Sequence, residues 1–201
     1  MNFKRLVVLL AMTLSTSAMA KENIPAGIYT IDSMHSKIGF EVPHLVISTV
    51  EGRFETFEGE IEVKEKIEKS KVKVNIDTAS ISTAVDKRDE HLKSADFFDA
   101  AKYPKISFES KTIVATKDGL KVTGKLKIKK ETRDVTLDLV YAGKVKDGYG
   151  QEKIAFTGKT QINRKDFGIT YGSVVEAGPV IGDKVTITLT VQAAEKAPVK
   201  K

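Results

Sequence analysis

The feature that most constrains the fold of this chain is an alternation of apolar and polar residues with a period of two. It recurs from about residue 28 to residue 191, for example in residues 120–128, where apolar residues or glycine at even positions alternate with lysine or threonine. Because successive side chains of a β-strand point to opposite faces, this spacing predicts strands and not helices. We count eight or nine of them.

Each predicted strand has one apolar side and one polar side, which is typical of antiparallel sheets. Asp118-Gly119 and Asp147-Gly148 fit tight hairpin turns, since glycine accepts a positive φ. No helix-length segment separates these strands, so βαβ crossovers are excluded. The expected fold class is all-β. The alternation alone leaves open whether the sheet closes into a barrel or splits into a sandwich.

One segment, at about residues 83–100, interrupts the alternation and predicts a short helical insertion. Thr83 fits a helix N-cap, with Asp86 as the acid of a capping box, and Pro104 ends the segment. An insertion of this size in a compact domain is typical of a lid or a plug.

The first twenty residues have the composition of a secretory signal peptide. Lys4 and Arg5 precede an apolar run at residues 6–14, and Ala18-Met19-Ala20 is a small-residue cleavage site. The run is half the length of about 20 residues that a membrane-spanning helix needs. We therefore predict cleavage between Ala20 and Lys21, export to the periplasm and no integral membrane span in the mature chain. Residues 21–193 would form one domain, and residues 194–201 a polar tail.

Searching for catalytic chemistry gives mostly exclusions. The chain has no cysteine, which excludes disulfides, zinc ribbons, iron–sulfur clusters and thiol nucleophiles. His35, His44 and His91 show no metal-ligand spacing. Asp32, His35 and Ser36 are a hydrolase-like set, but the chain has no GxSxG elbow. We expect no catalytic residue, no metal and no cofactor.

The positive charge does not indicate a nucleic-acid partner, because the basic residues are mostly lysines that alternate along strands among acidic residues. The four arginines beyond the signal peptide all lie beside irregular segments: Arg53, Arg88, Arg133 and Arg164. Arginine suits carboxylate and phosphate geometry. The favoured interpretation is that they hold loops in place, and the alternative is that one or two contact a polar head group. Arg88, Arg164 and His44 are the candidates for such contacts.

Several motifs, in order and over nearly the whole predicted mature chain, resemble the YceI-like family. They are Asp32, His35-Ser36, Ile38, Phe40, Val42, His44-Leu45, Val50, Gly52 and Phe54, then Arg88-Asp89, His91-Leu92, Ser94, Asp96-Phe97-Phe98-Asp99 and Tyr103-Pro104, and later Thr132-Arg133, Val135-Thr136-Leu137 and Arg164-Lys165-Asp166-Phe167-Gly168. The run from Arg88 to Asp99 is the most specific. Asp134 departs from the pattern, since the family often has proline there.

The resemblance implies a lipocalin-like antiparallel barrel of eight strands whose lumen holds a long isoprenoid or a similar lipid, with no enzyme activity. Burying one CH₂ is worth about 0.8 kcal/mol, whereas association costs on the order of 4 to 15 kcal/mol. A long chain would therefore bind firmly and a short one poorly. The residues expected to line the lumen are Ile38, Phe40, Val42, Leu45, Val50, Phe54, Phe108, Leu126 and Phe156. Those expected to close or plug its open end are Leu92, Phe97 and Phe98.

Two other functions stay open at this point. A structural or stress-related module would have a barrel filled by its own side chains and no ligand. An enzyme acting on lipid head groups would use His35 or His91 with a nearby acid. The sequence does not identify the head group, and exposed sheet edges permit a homodimer without requiring one.

Overall fold

The computed structural model describes residues 23–175 and 178–196. The predicted signal peptide and its cleavage point between Ala20 and Lys21 lie outside the described residues. The strands are β1 (Gly27–Ile31), β2 (Lys37–His44), β3 (Ser48–Phe54), β4 (Phe57–Val63), β5 (Lys71–Asp77), β6 (Ile81–Ser82), β7 (Lys105–Thr116), β8 (Gly119–Ile128), β9 (Glu131–Lys146), β10 (Glu152–Asn163), β11 (Val174–Val175), β12 (Gly178–Pro179) and β13 (Lys184–Glu195). The helix α1 spans Asp86–Lys93, and 3₁₀ turns span Ile67–Lys69, Thr78–Ser80 and Arg164–Phe167.

The strands form a closed antiparallel barrel. Pairing runs in the order β1, β4, β5, β7, β8, β9, β10 and β13, and β13 pairs back to β1 through Tyr29 and Glu195. The short strands β2, β3 and β6 extend this wall, because β2 pairs with β13 and β3, and β3 pairs with β6. The eight-stranded barrel is confirmed, and a sandwich is excluded.

The first barrel strand is interrupted at residues 32–36, between β1 and β2. The Asp32 carboxylate accepts a hydrogen bond from His35 Nδ1 at 2.8 Å and one from Gln192 Nε2 of β13 at 3.2 Å. Burial works to raise the pKa of Asp32, but these hydrogen bonds, the His35 charge and the bond from the Met34 N–H lower it overall. The Gln192 bond therefore holds residues 32–36 against β13, and both β1 and β2 pair with that strand.

The alternation in the sequence places the barrel interior. In β8, Leu120, Val122 and Leu126 are buried, while Lys121 and Lys125 between them are exposed. The same alternation in the other long strands directs their aliphatic and aromatic side chains inward. Removing this surface from water, at about 25 cal/mol per Å², is the main stabilising term of such a fold.

The helical insertion is shorter than predicted and begins differently. Val85, not Thr83, is the N-cap of α1 and makes no side-chain capping bond. Ala84 has a φ of +60°, so the chain is not helical between Thr83 and the helix. The acid that Thr83 contacts is Asp89 rather than Asp86: the Thr83 N–H and Oγ1 donate to Asp89 Oδ1 at 2.8 and 2.5 Å.

The last strand is longer than predicted. Ala194 pairs with Thr30 and Lys153, and Glu195 pairs with Tyr29. The predicted start of the polar tail at residue 194 is therefore two residues too early, because Ala194 and Glu195 belong to β13 and pair with β1 where the barrel closes. Residues 197–201 lie outside the described residues. Within the described part of the chain, no helix is both long enough and apolar enough to span a bilayer.

Candidate ligand-binding cavity

The barrel encloses a cavity of about 460 Å³. Small-molecule sites are typically about 300–1,000 Å³, and a cavity of about 150 Å³ already holds benzene. The cavity of this barrel is lined by aliphatic and aromatic side chains along nearly its whole length. The lining residues with polar side chains are His44, Ser70, Arg88, His91, Arg164 and Tyr171. A site of this size and character can take up a flexible apolar molecule and has few polar groups for anything else.

The residues predicted from the sequence mostly lie on this cavity. Those predicted to line it and found there are Ile38, Phe40, Val42, Val50, Phe54, Phe108, Leu126 and Phe156. Leu92, Phe97 and Phe98 are also on the lining, as are the candidate head-group residues Arg88, Arg164 and His44.

Leu45 does not line the cavity, and the expectation for it is corrected. β2 ends at His44, so Leu45 is the first residue of the turn to β3, with a φ of +51°. Its N–H donates to the carbonyl oxygen of Val180 at 2.9 Å, which fixes it against the segment before β13. The apolar alternation does not extend past the end of the strand.

Glycines on the inner wall help to keep the barrel hollow, and the sequence reasoning missed this role. Gly52 is the cross-strand partner of Phe40, and a Cβ added to it would lie 2.3 Å from Phe40 Cζ. Likewise a Cβ on Gly124 would lie 2.6 Å from Phe108 Cζ. Each ring therefore lies against the wall above a glycine instead of extending across the lumen. The sequence does contain a signal for this role, because Gly52 and Gly124 occupy positions of the apolar–polar alternation that face inward.

Most of the polar lining residues gather at one end of the barrel. We call this end the mouth; it is formed by the β2–β3 turn (residues 45–47), residues 83–103, residues 164–175 and residues 178–183. The Tyr171 ring lies 4.9 Å from both His91 and Phe97, centroid to centroid. His91 Nε2 is 2.9 Å from Asp96 Oδ2. Tyr171 and His91 are both exposed and both line the cavity, so the cavity reaches the surface here.

Arg164 holds the mouth together and has no donor left for a head group. Its Nε donates to Gly182 O, its Nη1 to Ile169 O and Tyr171 O, and its Nη2 to Ile181 O and Asp183 Oδ1. These five bonds use all five N–H groups of a guanidinium. The expectation that Arg164 contacts a ligand head group is therefore corrected in favour of a loop-holding role.

Arg88 differs from Arg164 because only some of its N–H groups are bonded within the protein. Its Nε donates to Thr83 Oγ1 at 2.7 Å and its Nη2 to Thr83 O at 3.1 Å. Among the described residues, no carboxylate lies within ion-pair distance of it. The neighbouring acid, Asp89, accepts from Thr83 instead. Arg88 is thus a half-buried cation on the cavity wall with donors still available to a ligand.

The hydrolase-like set does not form a triad. Ser36 Oγ donates to the Gln192 carbonyl at 3.1 Å and accepts from the Gln192 N–H at 3.0 Å, while His35 contacts Asp32. None of the three is on the cavity lining. Within the described residues, no group of three or more metal-ligating side chains comes together.

A family model for the YceI-like domain matches residues 29–193. The chain belongs to the YceI-like family. Its YceI-like relatives include a UPF0312 protein of Vibrio parahaemolyticus, 38% identical over 80% of this chain and 84% of the relative. Protein YceI of Escherichia coli is 32% identical over 94% of this chain and 97% of its own length.

Solved structures show the same YceI-like barrel. BcnA of Burkholderia cenocepacia superposes with a TM-score of 0.71 at 25% identity, covering 81% of this chain and 98% of BcnA. A polyisoprenoid binding domain from Saccharophagus degradans superposes with a TM-score of 0.62 at 16% identity, covering 84% of this chain and 98% of that domain. At that identity the second likeness concerns the fold.

Proposed function

We propose that this chain is a periplasmic binding protein that holds a long apolar lipid of polyisoprenoid type in the barrel, for transport, storage or sequestration. The observation that carries the proposal is the cavity of about 460 Å³, whose lining is almost entirely aliphatic and aromatic. Membership of the YceI-like family and the fold shared with a polyisoprenoid binding domain support the same ligand class.

The geometry favours a long chain over a short metabolite. The lining runs from Ile24 and Ile67 at one end of the barrel to Tyr171 at the mouth. Each buried CH₂ contributes about 0.8 kcal/mol, so one five-carbon isoprene unit contributes about 3 to 4 kcal/mol. Several units are needed to exceed the cost of association, which is on the order of 4 to 15 kcal/mol.

A barrel filled by its own side chains would leave no such cavity, so the ligand-free structural module is disfavoured.

We also propose that the protein has no enzyme activity. His35, Asp32 and Ser36 are bonded as a structural bridge to β13, away from the cavity. His91 lies at the mouth but packs its ring against Phe97 and Tyr171.

The mouth offers a place for a head group. We propose that the chain of the lipid lies along the barrel and that its head reaches Arg88, with His44 also on the cavity lining. An acidic head would balance the Arg88 charge, which has no carboxylate partner among the described residues. Export to the periplasm and the homodimer stay predictions.

The test is mass spectrometry of an organic extract of protein purified without detergent, where we expect a stoichiometric isoprenoid-type lipid. Leu137→Trp, on the cavity lining, should reduce the lipid recovered per protein. Val140→Trp is the matched control on the same strand, since Val140 faces outward and is 51% exposed. Repeated absence of lipid from the unsubstituted protein, or equal loss in both variants, would contradict the proposal.

The head-group step has its own experiment. Arg88→Gln should weaken binding of a polyprenyl phosphate about tenfold or more, since hydrogen bonds to charged groups contribute about 1.5–3 kcal/mol. Binding of the corresponding polyprenol, which is uncharged, should change little. Lys87→Gln, at the neighbouring exposed position, is the control. Equal weakening for the phosphate and the alcohol would remove Arg88 from the head-group role.

A further inference from the structure

Four exposed apolar side chains lie on two of the loops that form the mouth. Ile47 is 87% exposed, Val174 79%, Val46 63% and Tyr171 45%. We call these four residues the apolar rim. They belong to two loops, the β2–β3 turn and the segment containing β11 and β12. Large apolar groups exposed together mark interaction surfaces more often than scattered ones do.

The two loops are fixed to each other. The Leu45 N–H donates to Val180 O at 2.9 Å, and the Gly182 N–H donates to Pro43 O at 2.8 Å. A Cβ added to Gly178 would lie 3.1 Å from Val46 Cγ2, so the backbone at Gly178 runs close to the Val46 side chain. The two loops that carry the rim are therefore held side by side and are not two independent tips.

The backbone of the β2–β3 turn is strained where it exposes these side chains. Leu45 has a φ of +51° and Val46 a φ of +66°. Left-handed backbone is costly for L-residues and especially so for a β-branched one such as valine. Glycine or asparagine at these positions would adopt this turn with less strain, and neither would expose a large apolar side chain to water. Folding alone therefore does not account for Leu45-Val46-Ile47 at this tip.

The rim is continuous with the cavity. His44, directly before the turn, lines the cavity, as does Val180, which accepts the hydrogen bond from Leu45. Tyr171 belongs to both the lining and the rim. A molecule leaving the cavity at the mouth thus passes along exposed apolar side chains before it meets water.

Charge and area decide which partner fits. Residues 83–103 carry four basic and five acidic side chains, and the described residues between 164 and 183 carry two of each. This near balance gives no attraction to a strongly charged partner. A stable dimer interface needs about 20–30 residues on each side, which four side chains do not supply. Binding to a bilayer surface instead scales with the apolar area that enters the interfacial region, so exposed apolar side chains at loop tips favour it without a large protein interface.

We propose that the apolar rim inserts into the surface of a lipid bilayer and holds the mouth against it, so that an apolar ligand passes between membrane and cavity without crossing water. The choice of partner rests on the proposed lipid-binding function. The attraction is apolar, so it does not require anionic lipids.

The experiment uses the absence of tryptophan from the chain. Ile47→Trp places one fluorophore on the rim, and Tyr149→Trp places one at a turn at the opposite end, where Tyr149 is 99% exposed. Each variant is mixed with vesicles of phosphatidylcholine alone and with vesicles that also contain phosphatidylglycerol. We expect a blue shift of emission, and quenching by bromine-labelled acyl chains, for Ile47→Trp with both vesicles and for Tyr149→Trp with neither.

A flotation assay completes the test: the double variant Val46→Ser/Ile47→Ser should bind vesicles at least tenfold less than the unsubstituted protein. Lipid extracted from the same preparations is measured in parallel, so loss of docking is distinguished from loss of ligand binding. The proposal is overturned if Ile47→Trp does not respond, if Tyr149→Trp responds equally, or if the response needs phosphatidylglycerol and disappears in high salt. A blue shift that depends on protein concentration without vesicles would assign the rim to a second copy and would equally overturn it.

Discussion

Arg164 Nη1 donates a hydrogen bond to the carbonyl oxygen of Tyr171 at 2.6 Å. This bond joins the 3₁₀ turn after β10 to the loop whose aromatic ring packs on His91 and Phe97. The wall of the cavity mouth is thus positioned by a buried guanidinium that does not itself contact solvent to any large extent, since Arg164 is 6% exposed.

Replacing Arg164 should therefore affect both stability and the mouth. Arg164→Ala leaves buried carbonyl oxygens without donors, and we expect it to lower the free energy of unfolding by about 3 kcal/mol. Urea denaturation measures this change. The control is Arg133→Ala, because Arg133 makes an exposed ion pair with Glu131, which contributes about 0–1 kcal/mol. Similar losses in the two variants would show that the Arg164 bonds contribute little.

Asp183 makes the same mouth contacts sensitive to acid. The hydrogen bond from Lys165, together with the charges of Lys165 and Arg164, lowers the pKa of Asp183 although burial opposes the shift. A carboxyl group whose pKa is lower in the folded state than its unfolded value of about 3.9 stabilises the fold above that pH. This contribution is lost as the pH falls through the folded-state pKa.

The prediction is that Asp183→Asn is less stable than the unsubstituted protein near neutral pH, and that the difference shrinks below about pH 4. Thermal unfolding at a series of pH values measures it. Asp118→Asn is a control at an 82% exposed side chain in the β7–β8 turn. A difference that stays constant through the acid range would show that Asp183 acts through its shape and not its charge.

The strain in the β2–β3 turn gives a prediction about stability. Val46→Asn should raise the free energy of unfolding by about 1 kcal/mol, because asparagine tolerates left-handed backbone far better than valine. Val174→Asn is the control, since Val174 is similarly exposed but lies in strand β11 without a positive φ. Chemical denaturation compares the two. No gain at Val46 would mean that the turn adapts to valine without measurable strain.

The sequence predicted those parts of the fold that depend on neighbouring residues. The alternation in residues 120–128 identified strand β8 and its inward face, because each residue's face follows from its position along one strand. The same reasoning placed Phe108 and Phe156 on the cavity. Closing the sheet depends on pairing Tyr29 with Glu195, which are far apart in sequence. No local pattern specifies that contact, so the barrel followed from the family resemblance.

The errors have physical causes of the same kind. Leu45 fits the apolar composition of its strand, but the strand ends one residue earlier, where a hydrogen bond to Val180 holds the turn. Arg164 carries the same charge as Arg88, yet only the folded loops show that its donors are all used by main-chain oxygens and Asp183. An arginine's availability to a ligand depends on which acceptors surround it, and the sequence does not contain that information.

The glycines of the inner wall lead to the last prediction. A Cβ at position 52 would lie 2.3 Å from Phe40 Cζ, which is too close for the ring to stay against the wall. Gly52→Ala should therefore turn the Phe40 ring toward the lumen and remove room for one or two CH₂ groups of a ligand. At about 0.8 kcal/mol for each CH₂, we expect a loss in affinity for a long polyprenol of about tenfold.

Titration of delipidated protein with a fluorescent polyprenol measures this affinity. Gly148→Ala is the matched control, because a Cβ there would have no neighbour within 4 Å. The second substitution Phe40→Leu in the Gly52→Ala background should restore part of the affinity, since a smaller side chain clears the wall without entering the lumen. If Gly52→Ala binds as tightly as the unsubstituted protein, the ring has another position available and the glycine does not set the size of the cavity.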